Sequence, residues 1–297
     1  HPNPMVGAVI VKNNQVIGEG WHRGPGLPHA EVEALNSCRI APEGATLYVT
    51  LEPCNHWGKT PPCCDAVINA KIAAVKIATR DFILQVSGGG IEKLQAAGIQ
   101  VEVGICQDEA LEINRSFFYH CRTGRPWVIM KSAASLDGKI ATSGGESRWI
   151  TGEPARRMAH QLRSQVGAVL IGSGTLIKDN PELTYRVHQT IVRQPLKVLL
   201  DSELKINREH NLIKNDPVNL LVFCTERAPL AKIKQLQATG VMVNRQSSRG
   251  MVELPAALDF LGALGIRSLM IEGGSEVFAG FIKANLVICQ PNEVLII

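Results

Sequence analysis

Leu51-Glu52-Pro53-Cys54-Asn55-His56-Trp57-Gly58-Lys59-Thr60-Pro61-Pro62-Cys63-Cys64 is the stretch from which the first half of this chain is best understood. It holds three of the eight cysteines, and it follows a β-branched run, Thr46–Thr50, that predicts a strand. Its two prolines favour a helix start, so a helix is expected over Cys64–Ala70. Upstream, His29-Ala30-Glu31 follows Pro28 and opens a second expected helix, Ala30–Arg39. One His and two Cys make the three-ligand set of a catalytic zinc, which keeps its fourth position for water. Glutamate two residues from the histidine can reach that water instead of the metal. Helix N-termini favour anions such as thiolate and hydroxide.

This is the His-x-Glu…Pro-Cys arrangement of zinc deaminases. Zinc brings the pKa of its water toward ~7, and the glutamate can shuttle protons to a ring nitrogen and to the leaving amine. His29, Cys54 and Cys63 are the expected ligands and Glu31 the expected catalytic residue. The spacing departs from the common form, because eight residues separate Cys54 from Cys63. The insertion Asn55–Thr60 carries His56, Trp57 and Lys59, side chains suited to reading a ligand. A closed, purely structural zinc site would need His56 or Cys64 as a fourth ligand. Cys38, Cys106, Cys121, Cys224 and Cys289 read as small buried or half-buried residues.

Around this motif the composition is that of a globular protein. The chain has 297 residues, 45% of them hydrophobic and 20% charged, which excludes a disordered chain. That length suggests two domains. No apolar run approaches the ~20 residues of a membrane helix. No signal peptide is evident, and clustered cysteines without an export signal point to metal or catalysis in the cytoplasm. Residues 1–124 carry a net charge of −2 and residues 125–297 one of +6. A basic second half suits an anionic small molecule, and no Lys/Arg block signals a nucleic-acid tail.

Arg122-Thr123-Gly124-Arg125-Pro126 reads as a domain boundary. It follows a helical stretch, Asp108–His120, and precedes an expected strand, Trp127–Lys131. Strand and helix patterns alternate on both sides of it. In the first half they are a hairpin, Met5–Lys12 with Gln15–Glu19, then Ala74–Ala78, Ile91–Ala97 and Gln100–Gly104. In the second half the strands are Ala168–Ile171, Leu196–Asp201, Asn219–Cys224 and Ser268–Ile271. The helices there are Glu153–Ser164, Leu230–Thr239, Ala256–Leu264 and Ser275–Ala284. The fold class is therefore α/β in each half. The second half lacks a dinucleotide fingerprint, since Gly172-Ser173-Gly174 is followed by Ile177 where a third glycine belongs. Ile271-Glu272-Gly273-Gly274-Ser275, between a strand and a helix, is the better phosphate cradle.

His1-Pro2-Asn3-Pro4-Met5-Val6-Gly7, Gly20-Trp21-His22, His29-Ala30-Glu31 and the cysteine stretch together resemble the bifunctional deaminase/reductase family of riboflavin biosynthesis. Lys131–Lys139, Gly145–Thr151 and Asp179–Thr184 extend the resemblance over essentially the whole chain. It implies a cytidine-deaminase-like α/β/α domain over residues 1–124. A dihydrofolate-reductase-like α/β domain that binds NADPH follows over 125–297, incomplete at its C-terminus. It implies that Cys64 is a neighbour of the zinc, and that Asn3, His22 and Lys59 help hold a pyrimidine nucleotide. Ala133, Trp149, Thr175, Asp179, Ser202 and Gly274, Ser275, Glu276, Val277, Phe278, Ala279 and Gly280 would contact NADPH. Ser147, Arg163, Leu183, Arg186 and Glu272 would contact the substrate. Lys131, Asp179 and Glu272 are the ionisable candidates near the reacting carbon. The family's Asp-Pro-Asn-Pro is replaced by Asp81-Phe82-Ile83-Leu84.

The activity implied is hydrolytic loss of the pyrimidine 2-amino group from a phosphorylated ribosylaminopyrimidine, followed by NADPH-dependent reduction of the ribose. A homo-oligomer acting on a small molecule, with no nucleic acid or membrane partner, is expected. Three other readings stay open on residues alone: a deaminase with a silent second half, a nucleic-acid base deaminase, and a non-enzymatic zinc module.

Overall fold

The computed structural model describes residues 3–81, 89–147, 149–186 and 193–287, together with the backbone of a strand at 294–296. The chain divides into two compact units, His1–Thr123 and Gly124–Ile297.

The first unit begins with β1 (Gly7–Lys12) and β2 (Gln15–Trp21), an antiparallel hairpin. Its turn residues Asn13 and Asn14 both take positive φ, +50° and +60°, a conformation asparagine tolerates better than other side chains. Next come α1 (Ala30–Asn36), β3 (Thr46–Leu51), α2 (Cys63–Asn69), β4 (Ala74–Thr79), α3 (Gly90–Ala96) and β5 (Gln100–Val103). The sheet order is β2-β1-β3-β4-β5, with β3, β4 and β5 parallel. Alternate strand residues Ala8, Ile10, Leu47, Val49, Val75 and Ile77 meet Ala30 and Ala34 of α1, Val67 of α2, and Ile91 and Leu94 of α3 in one core. Packing of α1 on the hairpin is close at Gly20, where a Cβ would lie 2.4 Å from Ala34 N and 2.7 Å from Ala30 O.

The helical stretch expected over Asp108–His120 is made of two helices, α4 (Gln107–Ile113) and α5 (Arg115–Thr123). Asn114 interrupts them at φ −109°. Its buried amide accepts from Met5 N and donates to Met5 O, both at 2.8 Å, as a neighbouring strand would. That local bond competes with helix continuation.

The second unit carries a seven-stranded parallel sheet, order β10-β9-β8-β7-β11-β6-β12. Its elements are β6 (Trp127–Ser132), α6 (Glu153–Gln165), β7 (Ala168–Gly172), α7 (Ser173–Asp179) and β8 (Leu196–Leu200). They continue with α8 (Asn211–Asn215), a 3₁₀ turn (Pro217–Asn219), β9 (Leu220–Cys224), α9 (Leu230–Gln237), β10 (Met242–Arg245), α10 (Leu254–Ala263), β11 (Ser268–Ile271), α11 (Ser275–Lys283) and β12 (Val294–Ile296). Successive strand residues sort to opposite faces. Val169, Ile171, Leu199 and Val222 join Leu176, Leu212, Ile233 and Leu236 in one core. Ala168, Leu170, Val198 and Leu221 join Ala257, Leu261 and Phe281 in the other. A parallel sheet covered on both faces needs such continuous apolar strands. Lys197 breaks the pattern: its side chain is fully buried in β8, with Nζ 3.2 Å from Asp216 Oδ2. Among the described residues no helix is long and apolar enough to cross a membrane.

Candidate functional site

In the first unit the three expected ligands meet. His29 is the N-cap of α1, Cys63 is the first residue of α2, and Cys54 lies in the loop after β3. His29 Nδ1 is 3.1 Å from Cys63 Sγ and 3.5 Å from Cys54 Sγ. Their donor atoms all lie within 4.8 Å of one another, the one such His/Cys/Asp/Glu group among the described residues. The N–H of Cys63, at the start of α2, donates to Cys54 Sγ at 3.3 Å. Hydrogen bonds from Cys63 and His29 hold the Cys54 thiol down at about 4, and Cys63 is correspondingly pushed up by its bond to Cys54. His29 is raised, chiefly by its bond to Cys54. A half-buried nitrogen and two sulfurs sharing a negative charge form the three-donor set of a catalytic zinc. The residues fit the metal.

Neither candidate for a fourth ligand joins this group. Cys64 Sγ donates instead to Pro53 O at 3.3 Å, and burial pushes its thiol up to about 12. His56 is exposed in the insertion. Glu31, in the first turn of α1, is 3% exposed, and burial raises its carboxyl to about 7. A group near neutrality can both take and give a proton at working pH.

A cavity of about 300 Å³ opens beside the ligands, lined by Asn3, Pro25, Gly26, His56, Gly58, Lys59 and Thr60. His22 Nδ1 lies 3.1 Å from Pro28 O, and its Nε2 lies 2.7 Å from Asn3 Nδ2. A carbonyl oxygen only accepts, so the proton sits on Nδ1 and Asn3 donates to Nε2. Glu52 stands in the quoted motif, but its sequence position assigns it no role. Its buried carboxylate accepts from Asp81 N at 3.3 Å and Ile91 N at 3.2 Å, tying the ligand loop to the start of α3. Phe82-Ile83-Leu84 of the altered loop lie outside the described residues.

In the second unit the expected residues gather where the parallel strands end, the usual ligand rim of such sheets. Ala133 follows β6, Thr175 lies in α7 just after β7, Ser202 follows β8, and Glu272–Ser275 follow β11. Those four strands are neighbours in the sheet. Gly274 takes φ +82°, and a Cβ on Gly273 would lie 3.1 Å from Thr175 Oγ1. A backbone without side chains before the nine-residue α11 leaves room for a pyrophosphate at its amide groups. The cradle fits a dinucleotide.

Not every expected contact points toward this rim. Leu183 is 3% exposed and packs into the core. Val277 and Phe278 are half-buried against the opposite core, Val277 tightly on Gly172. Arg163 and Glu272 meet in a buried two-pronged ion pair, at 2.5 and 2.6 Å, and Arg163 Nη1 also donates to Thr184 O at 3.1 Å. Arg186 pairs with Glu182 at 2.9 Å on the surface. Trp149 is 72% exposed, with the Arg156 guanidinium over its ring at 4.3 Å. Ser147 is exposed, Lys131 is half-buried on β6, Asp179 ends α7, and Ser275, Glu276 and Ala279 lie exposed on α11, with Gly280 half-buried. His160, one turn before Arg163, went unnoticed in the sequence. Burial lowers its pKa, and the positive charges of Arg163 and Arg186 add to the effect.

Residues 1–79 match the cytidine and deoxycytidylate deaminase zinc-binding region, and residues 126–288 match the RibD C-terminal domain. The riboflavin biosynthesis protein RibD of Aquifex aeolicus is 43% identical over 291 residues, covering 95% of this chain and 78% of that protein. This chain belongs to the RibD family. The Escherichia coli RibD is 38% identical over 298 residues, 97% of this chain and 80% of its own length. Among solved structures, RibD of Acinetobacter baumannii aligns with a TM-score of 0.87 at 36% identity, covering 99% of this chain and 83% of that one. A Thermotoga maritima diaminohydroxyphosphoribosylaminopyrimidine deaminase/5-amino-6-(5-phosphoribosylamino)uracil reductase aligns at 0.84 and 39% identity, over 96% and 78%. As a RibD-family enzyme the chain pairs a zinc deaminase with a reductase, with zinc and NADPH as the cofactors. The expected fold, a cytidine-deaminase-like domain followed by a dihydrofolate-reductase-like one, is borne out.

Proposed function

We propose that this chain converts 2,5-diamino-6-(5-phosphoribosylamino)pyrimidin-4(3H)-one in two steps, hydrolytic deamination at residues 1–124 and reduction of the ribosyl group to ribityl at residues 125–297. The observation that carries the proposal is the convergence of His29, Cys54 and Cys63 beside the buried Glu31, in a chain whose second unit presents a glycine cradle at its strand ends.

When bound, zinc supplies an activated water at neutral pH. His29, Cys54 and Cys63 hold the metal, and Glu31 accepts the water proton and passes protons to the ring nitrogen and the departing amine. Asn3, fixed by His22, and Lys59 orient the pyrimidine nucleotide in the cavity. NADPH supplies hydride. The Gly273-Gly274 turn and the start of α11 hold its pyrophosphate, with Ala133, Thr175 and Ser202 along the same rim. Trp149 presents an exposed ring for the cofactor. Arg186, exposed at the surface, offers the substrate phosphate a guanidinium of matching two-donor geometry, while Arg163 is committed to Glu272 and Thr184 O. Alignment of donor and acceptor does most of the remaining work. The substrate is a small anion, the setting is the cytoplasm, and the active form is a homo-oligomer without nucleic acid or membrane partners.

Mass spectrometry of the products, with and without NADPH, tests this. Deamination alone adds about one mass unit, since NH becomes O, and reduction adds about two more for the hydride and proton. The first gain without the second would assign the chain a deaminase role only. No change with folded, zinc-loaded protein would move it to another deaminase substrate.

A further inference from the structure

The insertion between the two cysteine ligands ends on Thr60, and this side chain faces the metal site. The two ring nitrogens of His29 have different neighbours. Nδ1 converges on the Cys63 and Cys54 sulfurs at 3.1 and 3.5 Å, whereas Nε2 lies 3.4 Å from Thr60 Oγ1. A histidine that gives Nδ1 to a metal carries its remaining proton on Nε2. A hydroxyl can accept that proton's hydrogen bond.

We propose that Thr60 is a positioning residue for the zinc ligand, its hydroxyl accepting from His29 Nε2–H and so fixing the tautomer and plane of the ring. The inference rests on the zinc reading above. The backbone makes Thr60 a stiff support. It precedes Pro61-Pro62, which restricts it to extended conformations. Its carbonyl accepts from Gly58 N at 3.2 Å, closing the turn of the insertion. Its β-branched side chain has few rotamers. The His22 ring meets the His29 ring edge-on, with centroids 5.1 Å apart. His29 is thus bounded by His22 and Thr60 while its own backbone is fixed as the N-cap of α1, at φ −76° and ψ 166°. The insertion thereby serves the metal as well as the nucleotide.

The test uses the full chain as Thr60→Val, which keeps the shape and removes the acceptor, and Thr60→Ser, which keeps the acceptor. Zinc affinity is measured by competition with a chromophoric chelator. Thr60→Val is expected to bind zinc about 10–100-fold more weakly, the usual effect of losing a ligand's outer partner. Thr60→Ser is expected to stay within about threefold of the parent, since the acceptor remains. Parental affinity in Thr60→Val would overturn the proposal. Should that variant fail to fold by circular dichroism, the zinc-loaded parent decides alone. Its ¹H–¹⁵N spectrum should show a slowly exchanging proton on His29 Nε2, and a proton on Nδ1 instead would overturn the assignment. A parent that binds zinc no better than His29→Ala would remove the zinc reading itself, a result distinct from a parent and Thr60→Val that bind equally well.

Discussion

The two sites of this molecule are built on opposite plans. In the first unit every metal donor falls between residues 29 and 63, on the starts of two helices and the loop between them, within 4.8 Å of one another. In the second, Ala133, Thr175, Ser202 and Gly273–Ser275 lie far apart in sequence and share one rim only because four parallel strands end side by side. Bond-length chemistry demands a few fixed side chains, while a dinucleotide rim can be made largely of backbone. Damage should therefore be sharp and local in the first unit. In the second it should spread through the packing.

Glu31→Gln should have the largest effect. Deaminase turnover should fall about 10²–10⁴-fold, the usual worth of a positioned proton carrier, while zinc content and reductase turnover stay at parental levels. Steady-state assays of both activities check this. A parallel loss of reductase would erase the contrast.

Arg163→Met should destabilise the second unit by about 3–5 kcal/mol, because it strands the 6% exposed Glu272 carboxylate without its partner. Denaturant unfolding followed by two probes should show the second unit's transition move and the first unit's stay. A single shared shift would show that the units unfold together.

Gly20→Ala should cost about 1–3 kcal/mol, by overpacking α1 against the hairpin. Since α1 carries both His29 and Glu31, zinc affinity should drop with stability. Calorimetry and metal competition measure the two. Unchanged zinc binding would mean that α1 moves without disturbing its first turn.

Asp259→Asn should have the smallest effect. Asp259 pairs with Arg125 at 2.6 and 3.0 Å, but its side chain is 58% exposed. The guanidinium holds the carboxyl below its ordinary value. The pair's contribution is then present above the unfolded pKa of about 3.9 and lost as pH falls through the lower folded value. Exposure and salt screening keep it under about 1 kcal/mol. The thermal midpoints of parent and variant should converge in strong acid, and a gap that persists there would point to packing instead of charge.

The same contrast decides what could be read from the sequence. The grouping of His29, Cys54 and Cys63, the place of Glu31 in the first turn of α1 and the helix starts were legible because short spacings and prolines encode them. Strands Ala168–Gly172, Leu220–Cys224 and Ser268–Ile271 were legible as apolar runs. The break at Asn114 was not, since it depends on Met5, more than a hundred residues away in sequence. Nor were the inward faces of Leu183, Val277 and Phe278, which tertiary packing sets. Glu52 accepts from two backbone amides and Thr60 lies beside one ring nitrogen, and residue identity alone carries no mark of such contacts.

Strand β6 has a consequence for how the protein forms. It is the first strand of its sheet to leave the ribosome, yet it lies between β11 and β12, pairing Trp127 with Ser268 and Met130 with Val294. Both of its edges wait for segments made roughly 140 or more residues later, the kind of long loop closure that slows folding. The β1–β2 hairpin closes across two residues. During synthesis an apolar strand, Trp127-Val128-Ile129-Met130, therefore stays unpaired until β11 and β12 have been made, and it is the segment for which a chaperone or a neighbouring nascent chain would compete.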